Sequence, residues 1–123
     1  MNRNDGYRPE GWPAVVPRIF VADAPGLIDF MRTVFGATGE DRHGPAEIWI
    51  GDSVVLVSDD SARGKVPACL YVYAPDADAC FGRAVAAGAE VVEPPIDMPY
   101  GDRRATVRDR WGNLWQIATR RPG

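Results

Sequence analysis

Hydrophobic and polar positions along this chain run through one order of elements twice. After a polar, Gly- and Pro-rich opening (residues 1–13), AVVPRIFVAD (14–23) has the apolar content of a strand. Pro25 follows where a first helical turn tolerates proline. Leu27, Ile28, Met31, Val34 and Phe35 then recur at i, i+1, i+4, i+7 and i+8, which predicts one buried helix face, and Gly36 stops it. A short strand near 38–43 comes next, then AEIWI (46–50) and SVVLVS (53–58). Gly51-Asp52 forms a two-residue hairpin turn between the last two.

The second half starts with the strand ACLYVYA (68–74). Pro75 and Asp76 open a helix whose apolar face is Ala77, Cys80, Phe81, Ala84 and Val85, ended by Gly88. Strands AEVVE (89–93), RATVRD (104–109) and LWQIAT (114–119) follow, with a Gly112-Asn113 turn before the last. PPIDMPYGDR (94–103) reads as a loop because it carries three prolines and a glycine.

The order is β-α-β-β-β, twice. GDSVVLV in the first half is echoed by GNLWQIA in the second. This predicts an α+β domain made of an N-terminal arm (1–13), a first module (14–58), a linker (59–67) and a second module (68–120). Helices cover one face of each sheet. The strands are apolar on both faces, so the uncovered face needs the other module or a ligand.

The segments FVADAPGLIDFMRTVFGA (20–37) and VYAPDADACFGRAVAAGAEVVEPPIDMPYGDRRATVRDRWGNLWQIA (72–118) resemble the two modules of vicinal oxygen chelate proteins. The branch they are most similar to is the glyoxalase/bleomycin-resistance-like one. The resemblance spans roughly residues 14–119 and implies two tandem βαβββ modules forming a curved mixed sheet around a cavity. It also implies frequent homodimers and sites built from both modules.

Metal-dependent members of that family carry His, Gln or Glu on the first and last strand of each module. Transferred along the motifs, those positions become Val16, Val55, Ala68 (Pro67 in the register one residue away) and Gln116. Only Gln116 has a donor oxygen, and one weak ligand does not make a site, so no metal and no cofactor is expected. The single histidine, His43, cannot supply a two-histidine iron site and reads as a solvated surface residue. Asp59-Asp60 reads as a solvated linker pair. There is no nucleophile elbow and no phosphate-binding glycine loop.

With the family's inward positions combined with strand alternation, Arg18, Phe20, Val55, Val57, Leu70, Val72 and Gln116 are expected to line the cavity. Aromatic walls bind planar molecules. Trp49, Tyr100 and Trp111 are therefore candidate ligand contacts, and Trp115 is expected to pack under a helix. Arg103 belongs to a C-terminal arginine cluster that reads either as a solvated sheet face or as an anion-binding patch.

The formal charge of -3 argues against a nucleic-acid partner. No apolar run matches a membrane helix or a secretory leader. Cys69 and Cys80 read as reduced, buried hydrophobes of a cytoplasmic protein. The function expected is metal-independent binding of a hydrophobic or aromatic small molecule by a homodimer, as in antibiotic sequestration. Two alternatives stay open. One is a metal-independent isomerase, lyase or cyclase working through Arg18, Tyr100 or Asp102; the other is a structural or regulatory dimer without ligand.

Overall fold

The computed structural model describes residues 6–40, 45–59 and 66–122. His43, Asp60 and most of the linker lie outside them. The first module consists of β1 (Arg18–Val21), α1 (Ala24–Phe35), β2 (Thr38–Glu40), β3 (Ala46–Ile50) and β4 (Ser53–Asp59). The second consists of β5 (Cys69–Tyr73), α2 (Ala77–Ala86), β6 (Glu90–Asp97), β7 (Asp102–Arg108) and β8 (Leu114–Arg120). The sheet orders are β1-β4-β3-β2 and β5-β8-β7-β6, so the two modules share one topology. In each, the first strand runs parallel to the last and the remaining pairs are antiparallel.

Both helices start where the sequence places a carboxylate. Asp23 caps α1 by accepting from the Gly26 amide at 3.0 Å, and Asp76 caps α2 by accepting from the Ala79 amide at 3.1 Å. Gly36 ends α1 at φ 67°, a left-handed conformation that glycine adopts without a Cβ penalty. The apolar stripe of α1 is buried at Leu27, Ile28, Phe30, Met31 and Val34; α2 buries the smaller Ala77, Cys80 and Ala84. Small residues let the two helices approach closely, and they pack on each other. Phe35 of α1 reaches Trp115 of β8, with ring centroids 5.0 Å apart. The helix-covered faces of both sheets therefore meet in one shared core, and the opposite faces turn outward.

The expected loop 94–103 is strand at both ends, with Asp102 and Arg103 in β7. Residues 94–97, expected in a loop, belong to β6. This strand lies at the sheet edge, and Pro94 and Pro95 fall in the register irregularity between Glu93 and Ile96, where neither has a partner on β7. No helix of the described residues is long and apolar enough to cross a membrane.

Candidate functional site

Strand register decides which side chains share a face. Tyr71 lies opposite Gln116, and Gln116 opposite Thr106. Thr106 lies opposite Glu93, and Tyr73 shares its row with Ala118 and Arg104. These residues form the outward face of the second sheet. The side chains there are held by one network. Asp102 is 1% exposed and accepts from the hydroxyls of Tyr71 and Tyr73 at 2.7 Å each. Arg120 pairs with its other carboxylate oxygen at 3.2 Å. Tyr100 contacts the Tyr71 hydroxyl at 3.0 Å and receives a bond from Arg104 at 3.2 Å. Arg104 also pairs with Glu93 at 3.0 Å, and the Thr106 hydroxyl donates to Glu93 at 2.6 Å.

These contacts set the protonation states. The Tyr71 and Tyr73 hydroxyls, and after them Arg120, hold the Asp102 carboxyl below the ordinary carboxylate range. The Thr106 hydroxyl, with Arg104, does the same for Glu93. Tyr71 is pushed well above the ordinary phenol range by loss of water and by its bonds to Tyr100 and Asp102; it stays a neutral phenol. Carboxyls depressed in the folded state add stability above the ordinary carboxylate range and lose it as pH falls through their lowered values. Melting temperature should therefore drop on acidification below that range. Asp102→Asn should flatten this acid limb, and calorimetry from neutral pH down to about pH 2 checks it.

The first sheet also has an outward face. It carries Arg18, Phe20, Leu56, Ser58 and Trp49. Arg18 donates to Ser58 at 2.9 Å and lies over the Phe20 ring at 5.1 Å. Trp12 of the arm meets Trp49 edge-on at 5.8 Å, so the arm is fastened to this face. Between the modules opens a cleft of about 460 Å³ with apolar walls that include Phe35, Ile50, Val55, Leu70 and Val72. Tyr71 and Tyr73 border it as well, so the cleft continues around the free edge of β5 to the tyrosine face.

Five expectations need correction. Val55 and Val57 lie on the face opposite Arg18 and Phe20, because Arg18 is in register with Leu56. Leu70 and Val72 likewise lie opposite Gln116, because Leu70 pairs with Trp115. Val55 and Leu70 still meet, but in the inter-module cleft. Trp111 is no rim residue of this site; it packs on Phe30 beside α1, with centroids 6.5 Å apart. Arg103 points to the helix side and pairs with Asp78 at 2.7 Å and Asp97 at 3.1 Å, so it is committed to structure. Tyr100 bonds Tyr71, whose register partner is Gln116, so these two candidates are linked through Tyr71. Arg18, Phe20 and Trp49 share the other sheet's outward face. Cys69, expected to be buried, is exposed, whereas Cys80 is buried.

Sequence reasoning missed Tyr71, Tyr73, Glu93 and Thr106. A signal was present in the alternation of ACLYVYA, which puts both tyrosines on one face. The donors around Gln116 do not fit a metal ion. Its register neighbours are Tyr71 and Thr106, Cys69 Sγ is 4.0 Å away, and Glu93 is already engaged by Thr106 and Arg104. Among the described residues no group of three His, Cys, Asp or Glu side chains gathers.

The sequence matches the Glyoxalase/Bleomycin resistance protein/Dioxygenase superfamily over residues 14–117. The chain belongs to this superfamily. An uncharacterized protein of Mycobacterium bovis is 32% identical, covering 85% of this chain and 82% of its own length. Among solved structures, TioX from Micromonospora sp. ML1 superimposes with a TM-score of 0.76 at 28% identity, covering 88% of this chain and 98% of TioX. A superfamily enzyme from Burkholderia phytofirmans PsJN gives a TM-score of 0.74 at 19% identity, covering 85% and 95%, and speaks to the fold alone.

Proposed function

We propose that this superfamily member is a metal-independent binding protein for a hydrophobic or aromatic small molecule. One observation carries the reading: an apolar cleft of about 460 Å³ runs into a surface of polar groups held at fixed positions. Small-molecule sites combine apolar walls with a few well-placed polar groups in this way. Tyr73 and Tyr100 stay 62% and 51% exposed while their hydroxyls are fixed, so the surface is ordered before a ligand arrives. The similarity to a superfamily that includes bleomycin resistance proteins supports sequestration as the purpose of binding.

The binding unit we propose is a homodimer. Within one chain Arg18 and Gln116 lie on outward faces of different sheets, and β1 and β5 are sheet edges. A second copy that sets the first sheet's outward face across from the tyrosine face brings both residue sets into one site.

Titration with polycyclic aromatics tests the binding reading. Trp115 senses the cleft through Phe35, so a bound aromatic should change intrinsic fluorescence in a saturable way and raise the melting temperature. Val72→Trp, which fills the cleft, should abolish the response. A panel of polycyclic phenols and amines without saturable response would remove the reading. Gln116→Leu should leave stability nearly unchanged, because the side-chain hydrogen bond of Gln116 among the described residues is a long one, with Cys69 Sγ at 4.0 Å. It should weaken a ligand bonded to Gln116 by about 1 kcal/mol, measured by calorimetric titration.

A further inference from the structure

The tyrosine face has a hydrogen-bonding polarity that can be read proton by proton. A phenol hydroxyl has one hydrogen to donate and lone pairs to accept with. Tyr73 spends its hydrogen on Asp102, and so does Tyr71, both at 2.7 Å. With the Tyr71 hydrogen committed, the 3.0 Å contact between Tyr71 and Tyr100 requires Tyr100 to be the donor. Arg104 then donates to the Tyr100 oxygen at 3.2 Å. The relay runs from Arg104 to Tyr100 to Tyr71 to Asp102, with Tyr73 joining from the other side. All three hydroxyl hydrogens point into the network.

What remains outward is lone pairs. The Tyr73 oxygen accepts no bond within the network, and Tyr73 is the most exposed of the three residues, at 62%. Donation to a carboxylate polarises a hydroxyl and makes its oxygen a better acceptor. The tyrosine rings add electron-rich faces beside it, with Tyr71 and Tyr73 centroids 5.5 Å apart. The two carboxylates carry no surplus charge toward a ligand, since Arg104 balances Glu93 and Arg120 balances Asp102.

We infer that this face selects aromatic ligands that donate a hydrogen bond, such as phenols, indoles and aryl amines, with Tyr73 as the accepting group. The inference rests on the binding reading above and names its ligand class. A competing donor sits nearby: Arg120 is well exposed and could pair with an anion instead. The choice of probes separates these outcomes.

The full-length protein would be titrated with 2-naphthol, 2-methoxynaphthalene and 2-naphthoate by calorimetry. The methyl ether keeps the ring and is the more hydrophobic of the first pair, so a preference for the naphthol reports the donated bond. 2-Naphthol should bind about fivefold more tightly than its ether. Tyr73→Phe should bring that ratio to about one and leave the ether's affinity unchanged; a cooperative melting transition, at a midpoint lowered by the lost bond to Asp102, is the check on folding. Equal binding of naphthol and ether to the wild type, a ratio that survives Tyr73→Phe, or a preference for naphthoate would each overturn the inference while leaving small-molecule binding intact. If none of the three binds saturably, the binding reading itself falls and takes this one with it.

Discussion

Asp109→Ala is expected to lower the unfolding free energy by about 3–5 kcal/mol, because Asp109 is a buried carboxylate on which a whole turn depends. Asp109 is 3% exposed. It accepts from the amides of Trp111 and Asn113 at 2.9 Å each, from the Asn113 side chain at 3.0 Å, and from Trp115 Nε1 at 2.8 Å. Asn113 in turn accepts from the Ala68 amide at 2.9 Å and so anchors the entry of β5. Alanine would leave these donors buried without partners and open a small cavity under Trp115. For a domain of this size the loss corresponds to roughly 12–20 °C in melting temperature. Asp109→Asn keeps the volume and part of the bonding and should cost less, about 1–2 kcal/mol. Denaturant unfolding of both variants checks the order, and an Asp109→Ala loss under about 1 kcal/mol would show that the turn holds without its carboxylate.

This turn also shows where sequence reading stops. The D-R-W-G-N run was legible as a turn and as part of a family pattern, and Gly112 sits at φ 93° as such a turn requires. Nothing in the spacing says that the aspartate side chain faces inward to collect four donors, or that Trp111 thereby swings onto Phe30. The helices, by contrast, were legible as elements, because a 3.6-residue apolar stripe leaves one orientation; the Asp23 cap was not read, and Val85 of the expected α2 stripe is exposed. Strand parity was not. β4 reads SVVLVS, with apolar residues at four successive positions, so alternation alone cannot say whether Val55 or Leu56 faces the core. Placing the strand through an inferred ligand position put it one residue out, and a slip of one exchanges the two faces. The same slip in β5 hid Tyr71 and Tyr73 behind Leu70 and Val72. Asp102 could be named only as a polar candidate in the 94–103 loop. Its role as the acceptor of two tyrosines needs partners 29 and 31 residues away in the chain.

Leu56→Lys is expected to convert the proposed dimer into a monomer and to weaken the proposed ligand binding at least about tenfold, while each chain keeps its fold. The argument starts from position. Leu56 lies in the middle of the first sheet, in register with Arg18 on one side and Glu47 on the other, and it projects from the outward face. It is half-buried in the isolated chain. A lysine there can lay its methylene stem along the sheet and keep its ammonium in water, so the monomer should lose only about 1 kcal/mol or less. Across a closed interface the same ammonium would be desolvated without a designed partner, at a cost of several kcal/mol. Ligand binding should fall with the dimer, because the Arg18 side of the site would come from the second copy. Light scattering at micromolar concentration, on wild type and variant, measures the first effect, and titration with an aromatic probe measures the second. A wild type that is monomeric there would remove the dimer and with it the two-chain site. A variant that stays dimeric and binds normally would place the interface on another surface, leaving the cleft and the tyrosine face of a single chain as the whole binding unit.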